Sequence, residues 1–333
     1  MSLFRALTLI SITVVYGLIV FGGIVRITDS GMGCGPEWPL CNGEVIPSVW
    51  TLETTLEYLH RVIALLVIIF TGLLLLMGWM KRHESRWFLI IPLIAVGFVM
   101  IQSGLGAITV LLDLHAEVTT AHHALAQIFM GTLIVLGVLT YRNLLSGGKA
   151  HLPPGRSKVT RAGIVAGVAT MALLLAGAYT ATTGAGYACP EWPLCSGYYV
   201  PGTGSALVDT QLIHRWLALI AALAIGYLIY EVYRWRSDSA PVKNLALGLG
   251  ALMILQIFVG AANIWTQMHD LLASLHVALA TLIWGMLVLV VAIDNALPAP
   301  VAMAADEREV EWLSPHPPTP SPRIGRGGEI GTD

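Results

Sequence analysis

The sequence predicts an all-α membrane protein whose eight transmembrane helices form two pseudo-symmetric four-helix bundles. Three observations predict this fold class. The 333 residues are 56% hydrophobic and only 11% charged, whereas a soluble domain carries about 25% charged residues. Eight apolar runs are long enough to cross a bilayer, and a set of distinctive residues recurs along the chain. Because so few charges cannot cover a water-exposed surface, the chain is expected to lie in lipid.

Each predicted helix corresponds to one apolar run, since a membrane-spanning helix needs about 20 such residues. The runs lie near residues 6–27, 56–80, 87–111, 118–141, 162–184, 210–233, 244–266 and 271–294. The first run is too long for the apolar core of a signal peptide, and no small-x-small cleavage site follows it. It is therefore interpreted as a helix that stays in the protein.

The distribution of basic residues predicts the orientation in the membrane. With eight spans both termini lie on one side, and only Arg26, Arg61 and Arg215 of the 18 lysines and arginines fall on the other. Basic residues favour the cytoplasmic side. We therefore expect a multi-pass protein of a prokaryotic plasma membrane with both termini cytoplasmic. We expect the protein to be surrounded by membrane lipid. The net charge of −2 does not suggest nucleic acid as a partner.

An internal repeat predicts how the helices are grouped. The stretch Cys34–Cys41 returns as Cys189–Cys195, one residue shorter, and His60 returns 154 residues later as His214. The other repeated pairs are Gln102 and Gln256, Gly106 and Gly260, His115 and His269, and His122 and His276. An interval shared by so many features indicates a duplicated unit.

The repeat divides the chain into four predicted segments. Residues 1–145 and 161–295 form two four-helix units, and residues 146–160 form a cytoplasmic linker loop. Residues 296–333 are rich in proline and glycine and are expected to be a disordered cytoplasmic tail. Because each unit has an even number of helices, both enter the membrane in the same direction and form parallel repeats.

The repeated histidines are candidate haem ligands. His60 and His122 lie about one turn into two helices that run the same way, and His214 and His276 do so in the second unit. Two imidazoles that face each other across a bundle can bind a haem iron axially. Interfacial histidines with ordinary hydrogen bonds are the alternative for any single one, but four in register favour ligands.

Neighbouring residues leave several alternatives open. Arg61 and Arg215 each follow a ligand histidine and could pair with haem propionates, or simply extend to the interface. His123 competes with His122 as a ligand, but its repeat counterpart is a valine, which favours His122. The loop histidines His115 and His269 are interpreted as solvent-exposed residues.

All four cysteines fall in two loops on the predicted outer side. Pairing within each loop is expected in an oxidising compartment, giving Cys34–Cys41 and Cys189–Cys195. A metal site and free thiols are the alternatives, but no further ligands are evident close by in sequence. The haem iron is therefore the only metal that the sequence predicts.

One difference between the repeats suggests that the two sites have different roles. Glu57 lies three residues before His60 and hence on the same helix face, whereas its counterpart is Gln211. A carboxylate can handle protons during a reaction, and an amide cannot. An ion pair with an arginine is the alternative explanation. The asymmetry favours a first half that acts on a substrate and a second half that holds a permanent cofactor.

A combination of motifs carries a family resemblance. The motifs are Gly22-Gly-Ile-Val-Arg26 with Thr28 and Ser30-Gly31, the Cys34 and Cys41 pair, Glu57-x-x-His60-Arg61, His122, His214-Arg215 and His276. Together they closely resemble those of haem A synthases, the integral membrane enzymes that supply haem A to cytochrome oxidases. The resemblance covers about residues 1–295.

The resemblance implies an activity and a cofactor that spacing alone does not show. It implies oxidation of the C8 methyl group of haem O to a formyl group, with His60 and His122 holding the substrate and Glu57 as the catalytic acid. It also implies a haem b cofactor bound by His214 and His276. Haem O synthase and cytochrome oxidase assembly factors would then be protein partners.

Two other functions fit the paired histidines. One is a two-haem electron carrier of the cytochrome b type, and the other is a haem transporter or chaperone. A carboxylate beside only one of the two sites favours an enzyme over both.

Overall fold

Each predicted apolar run forms one long helix in a computed structural model of the chain, which describes residues 1–146 and 157–297. The helices are α1 (Ser2–Ile27), α2 (Leu52–Met80), α3 (Trp87–Leu111), α4 (Ala116–Ser146), α5 (Lys158–Thr182), α6 (Ala206–Trp235), α7 (Ala240–Trp265) and α8 (Asp270–Ala296). All eight are long and apolar enough to cross a membrane. The predicted all-α class with eight spans is confirmed. Most of the predicted linker and tail lies outside the described residues.

Several helices begin about four residues before the apolar run that predicted them. α2 begins at Leu52, where the side chain of Thr51 accepts a hydrogen bond from the backbone N–H of Thr54 at 3.2 Å. Such a cap lets a polar first turn form a helix even though its residues are not apolar. α5 ends earlier than predicted, because Gly184 adopts a left-handed conformation and begins the short 3₁₀ turn Ala185–Tyr187.

Helix contacts follow the order of the chain within each half. α1 contacts α2 and α4, and α3 contacts α2 and α4; α5 to α8 contact one another in the corresponding way. One buried apolar cluster, which includes Phe4, Leu74 and Leu133, lies among the first four helices. A second cluster, which includes Leu228 and Leu249, lies among the last four. The division into two pseudo-symmetric units remains our interpretation of the repeat, and these contacts agree with it.

The two halves meet through α4 and α8, with further contacts between α1 and α8 and between α4 and α5. Gln127 donates a hydrogen bond to the hydroxyl of Thr281, its counterpart in the repeat, at 3.1 Å. The indole N–H of Trp284 donates to the carbonyl oxygen of Gln127 at 2.8 Å. Both Gln127 and Thr281 are fully buried. These polar contacts fix the register of α4 against α8 inside an apolar interface.

The even number of helices in each half places both cysteine loops at the same end of the bundle, which we call the disulfide face. At the opposite end the guanidinium of Arg236 donates to the carboxylate of Asp294 at 2.6 Å. The hydroxyl of Thr160 donates to the other oxygen of the same carboxylate at 2.7 Å. All three residues are buried. A buried charge needs such partners, and this cluster joins α5 and the end of α6 to α8.

The close approach of α2 and α3 depends on a glycine, which gives a test of the fold. A Cβ atom at Gly78 would overlap the carbonyl oxygen of Phe88, whereas a Cβ atom at Gly72 in the same helix would meet nothing within 4 Å. We expect Gly78→Ala to destabilise the protein by about 1–3 kcal/mol, and Gly72→Ala to be neutral or slightly stabilising. The measurement is the thermal unfolding midpoint of both variants in detergent. Equal midpoints would contradict the packing described here.

Candidate functional site

The four candidate ligand histidines lie near the disulfide face, each on a different helix. His60 is on α2 and His122 on α4, and His214 and His276 occupy the corresponding positions on α6 and α8. All four side chains are half-buried. The structure thus brings the predicted residues together as two pairs, each between helices of one half of the chain.

The second pair has a separation that suits a shared metal atom. The ring centroids of His214 and His276 lie 6.5 Å apart, with their planes inclined at 68°. A bond from a metal to an imidazole nitrogen is about 2 Å long, so a metal between two imidazoles places their centroids roughly 6 Å apart. The observed separation therefore fits an axial pair without movement of the helices.

Each of the four imidazoles packs against a glycine of a neighbouring helix. An added Cβ atom at Gly22 would lie 3.0 Å from Cε1 of His60, and at Gly177 it would lie 3.0 Å from Cε1 of His214. The same distances for Gly106 with His122 and for Gly260 with His276 are 3.2 and 3.0 Å. Such contacts are tighter than ordinary packing, so a larger side chain would push the ring aside. The glycines set where the rings can lie.

The ring nitrogens and the backbone of these histidines are also constrained. The Nδ1 atoms of His60, His122, His214 and His276 are buried and have no hydrogen-bond partner among the described residues. A buried polar atom without a partner costs about 1–3 kcal/mol, and such imidazoles could act as ligands of a bound iron. Gln102 and Gln256 donate to the carbonyl oxygens of His122 and His276 at 2.9 and 3.0 Å. The observed residues therefore fit a haem in each half.

The remaining histidines are placed differently. Nε2 of His123 lies 3.3 Å from the side-chain nitrogen of Gln127, toward the interface with α8. This position supports His122 as the ligand. The loop residue His115 lies 2.6 Å from the carboxylate of Glu117, and both are exposed. His269 accepts a hydrogen bond from the backbone N–H of Leu271 and caps α8.

Glu57 is buried and connects α2 to the first cysteine loop. One carboxylate oxygen accepts a hydrogen bond from the backbone N–H of Cys34 at 2.7 Å. The other lies 2.5 Å from the guanidinium of Arg61. The ion pair that the sequence left open as an alternative is therefore present. Both oxygens act as acceptors, which is the pattern of a carboxylate without its proton.

Arg61 and Arg215 bind main-chain carbonyl groups of the cysteine loops. Arg61 donates to the carbonyl oxygen of Leu40 at 2.9 Å. Arg215 donates to those of Pro193 and Leu194 at 2.8 and 2.6 Å. Sequence reasoning missed this role, although the equal spacing from loop to arginine in both repeats was a signal for it. Pairing of these arginines with propionates remains a prediction.

Both cysteine loops are closed by disulfides, Cys34–Cys41 and Cys189–Cys195, and no cysteine is free. All four cysteines are buried. Cys41 exchanges two backbone hydrogen bonds with Glu44, and Cys195 does so with Tyr198. Each loop is therefore closed by a disulfide and by a pair of backbone hydrogen bonds. Within the described parts of the chain, no group of three or more His, Cys, Asp or Glu side chains could hold a metal ion by itself.

Known proteins with similar sequences cover nearly all of the helical part. The heme A synthase of Halalkalibacterium halodurans is 28% identical over 296 residues, which is 88% of this chain and 96% of the relative. That of Shouchella clausii is 28% identical over 273 residues, with 81% and 90% covered. That of Exiguobacterium sibiricum is 32% identical over 237 residues, with 70% and 74% covered.

A family model leads to the same group of proteins. The model named COX15-CtaA, described as a cytochrome oxidase assembly protein, matches residues 5–51 and 48–288. The matched residues include both cysteine loops and all four ligand candidates. This chain belongs to the COX15-CtaA family of cytochrome oxidase assembly proteins.

Proposed function

We propose that this chain is a haem A synthase, a membrane oxidoreductase that converts the C8 methyl group of haem O into a formyl group. The single observation that carries the proposal is the family match over almost the whole helical region, together with relatives named heme A synthase. The two half-buried histidine pairs add a physical reason, because they suit two haems held in one protein.

The second half is the proposed cofactor site, with His214 and His276 as the axial ligands of haem b. The separation of their rings and the glycines packed against them support this assignment. Bound there, haem b would supply an iron that changes between the ferrous and ferric states. The protein's own contribution is to hold both rings in place. The rings pack against Gly177 and Gly260, and Gln256 fixes the backbone at His276.

The first half is the proposed substrate site, where His60 and His122 would hold haem O. The same packing against Gly22 and Gly106 supports this placement. Glu57 is the proposed acid–base residue. In the observed conformation its two oxygens are engaged by the backbone N–H of Cys34 and the guanidinium of Arg61. To donate a proton it would first have to be protonated, which would weaken its ion pair with Arg61.

Orientation and partners complete the proposal. The excess of lysine and arginine on one side supports cytoplasmic termini, so the disulfide face would lie on the oxidising side of a prokaryotic plasma membrane, where disulfides persist. Haem O synthase is a proposed partner because it would deliver a poorly soluble substrate. Cytochrome oxidase assembly factors are proposed as recipients of the product.

The ligand assignment of the second half predicts the effect of removing one imidazole. We expect His214→Ala or His276→Ala to abolish the low-spin spectrum of the tightly bound haem, because each change deletes one axial ligand. The measurement is the absorption spectrum and haem content of the purified variants. His269→Ala, which removes a repeated histidine from a loop cap, is the control and should keep both. An unchanged low-spin spectrum in either ligand variant would show that the ligands are wrongly assigned.

The acid–base assignment predicts the effect of neutralising Glu57. We expect Glu57→Gln to retain the second-half haem but to form haem A about 10²–10⁴ times more slowly, so that haem O accumulates. The amide can still accept the hydrogen bond from Cys34, so the loop should stay in place. Gln211→Glu, the matched change in the other half, should leave catalysis largely intact. The measurement is haem A and haem O in membranes, normalised to protein. Normal haem A formation by Glu57→Gln would show that Glu57 is only a structural partner of Arg61.

A further inference from the structure

The two cysteine loops differ sharply in the segment that leads to the next helix. In residues 45–52, which we call the first apolar loop, the exposed large side chains are Val45, Ile46, Val49, Trp50 and Leu52. The repeat counterparts of these five residues are Tyr199, Val200, Thr203, Gly204 and Ala206. Three of the five large apolar side chains are thus replaced by small or polar ones in the second half. We call residues 199–206 the counterpart loop.

A carboxylate of the following helix holds the counterpart loop, whereas the carboxylate of Glu44, just before the first apolar loop, holds that loop. One carboxylate oxygen of Asp209 accepts hydrogen bonds from the backbone N–H groups of Gly202 and Thr203 at 2.9 and 3.0 Å, and from the hydroxyl of Thr203 at 2.8 Å. The counterpart of Asp209 is Thr55, whose hydroxyl donates to a carbonyl oxygen within its own helix at 2.6 Å. A carboxylate keeps its surroundings hydrated, so the counterpart loop suits water or lipid headgroups.

The first apolar loop has instead a fixed shape with its apolar side chains outward. The carboxylate of Glu44 accepts a hydrogen bond from the backbone N–H of Ser48 at 2.7 Å. The ring of Trp50 packs edge-on against Tyr58 of α2, with centroids 5.4 Å apart. Ile46 and Val49 are each 66% exposed. An ordered loop with such residues on its surface is expected to contact a membrane or another apolar surface.

Lipid is the surface indicated, because exposed apolar residues also lie further along the outside of α2. Leu52 at the start of the helix is exposed, and so are Leu59, Leu65, Leu66 and Ile69 further along it. A membrane-spanning helix presents such a surface to the acyl chains. Tryptophan beside it is typical of the boundary between lipid and water. The loop therefore extends the lipid-facing surface beyond the end of the helix.

We propose that the first apolar loop inserts into the leaflet at the disulfide face and forms the entrance through which haem O reaches His60 and His122 from the bilayer. The inference rests on the proposed function, which gives the first half an exchanging substrate and the second half a permanent cofactor. Tyr199 and Val200 of the counterpart loop are also exposed, so the difference between the halves lies at Val49, Trp50 and Leu52, which the second half replaces by small or polar residues. The charged closure of the counterpart loop suits a site that stays filled.

Spin labels at matched positions test the insertion. Val49→Cys and Thr203→Cys each add one reactive thiol to a protein whose own four cysteines are paired. In lipid vesicles we expect the label at 49 to collide with dissolved oxygen and to be shielded from a water-soluble nickel chelate, and the label at 203 to show the opposite. Equal access of the chelate to both labels would overturn the insertion. Shielding of the label at 49 from both reagents would indicate a protein partner and would also overturn it.

Kinetics of matched threonine variants test the entrance. The double variant Ile46→Thr/Val49→Thr should raise the apparent KM for haem O in vesicles roughly tenfold and change kcat by less than about twofold. A tenfold change is about 1.4 kcal/mol, which is the order of magnitude expected when these two apolar side chains lose contact with lipid. Val200→Thr, which introduces threonine at the counterpart of Ile46, should alter neither KM nor kcat. An unchanged KM in the double variant would overturn the entrance while leaving the proposed function intact. Failure of the unaltered protein to convert haem O would instead contradict the proposed function.

Discussion

The packing of four imidazoles against four glycines determines how the rest of this bundle is arranged. A Cβ atom added to the facing glycine would lie only about 3 Å from each ring, so each imidazole has little room to move toward that neighbouring helix. The helices on either side must then approach closely, which small residues permit in lipid. The hydrogen bonds from Gln102 and Gln256 to the backbone of His122 and His276 fix the register of α3 against α4 and of α7 against α8. The proposed haem ligation agrees with this geometry in the second half, where the ring centroids of His214 and His276 lie 6.5 Å apart.

Duplication provides two similar sites, and a few substitutions distinguish them. The first half carries a buried carboxylate beside its histidine, an exposed apolar loop and a third half-buried histidine at the interface. At the same positions the second half has an amide, a loop closed by Asp209 and a valine. We propose that the carboxylate and the apolar loop give the first half proton chemistry and contact with lipid. These properties are the ones that a site for an exchanging, reacting haem requires, and a site for a permanent cofactor does not need them.

The sequence alone was sufficient for the eight helices, because apolar length is a property of the chain itself, whereas the roles of the paired histidines stay a prediction from the repeat spacing. The ends of the helices were less accurate, since a capping residue such as Thr51 extends a helix into polar sequence. The glycines opposite His60 and His214 were missed because glycine is common here, at 34 residues, and its contacts depend on the neighbouring helix. The partners of Arg61 and Arg215 were also missed, although the equal spacing between loop and arginine in the two repeats was a signal for them. Which carbonyl groups face a guanidinium depends on the shape of the folded loop.

Haem exchange tests most directly the central claim that one histidine pair holds a permanent cofactor and the other a passing substrate. The protein would be loaded in both sites with ⁵⁷Fe-labelled haem, placed in vesicles and incubated with an excess of unlabelled haem O. The measurement is the ⁵⁷Fe that remains with the protein over time. The account predicts that half of the label is lost and that the retained half keeps the low-spin spectrum of two axial histidines. Loss of all the label, or retention of all of it under conditions in which haem A is formed, would contradict the division of roles between the two halves.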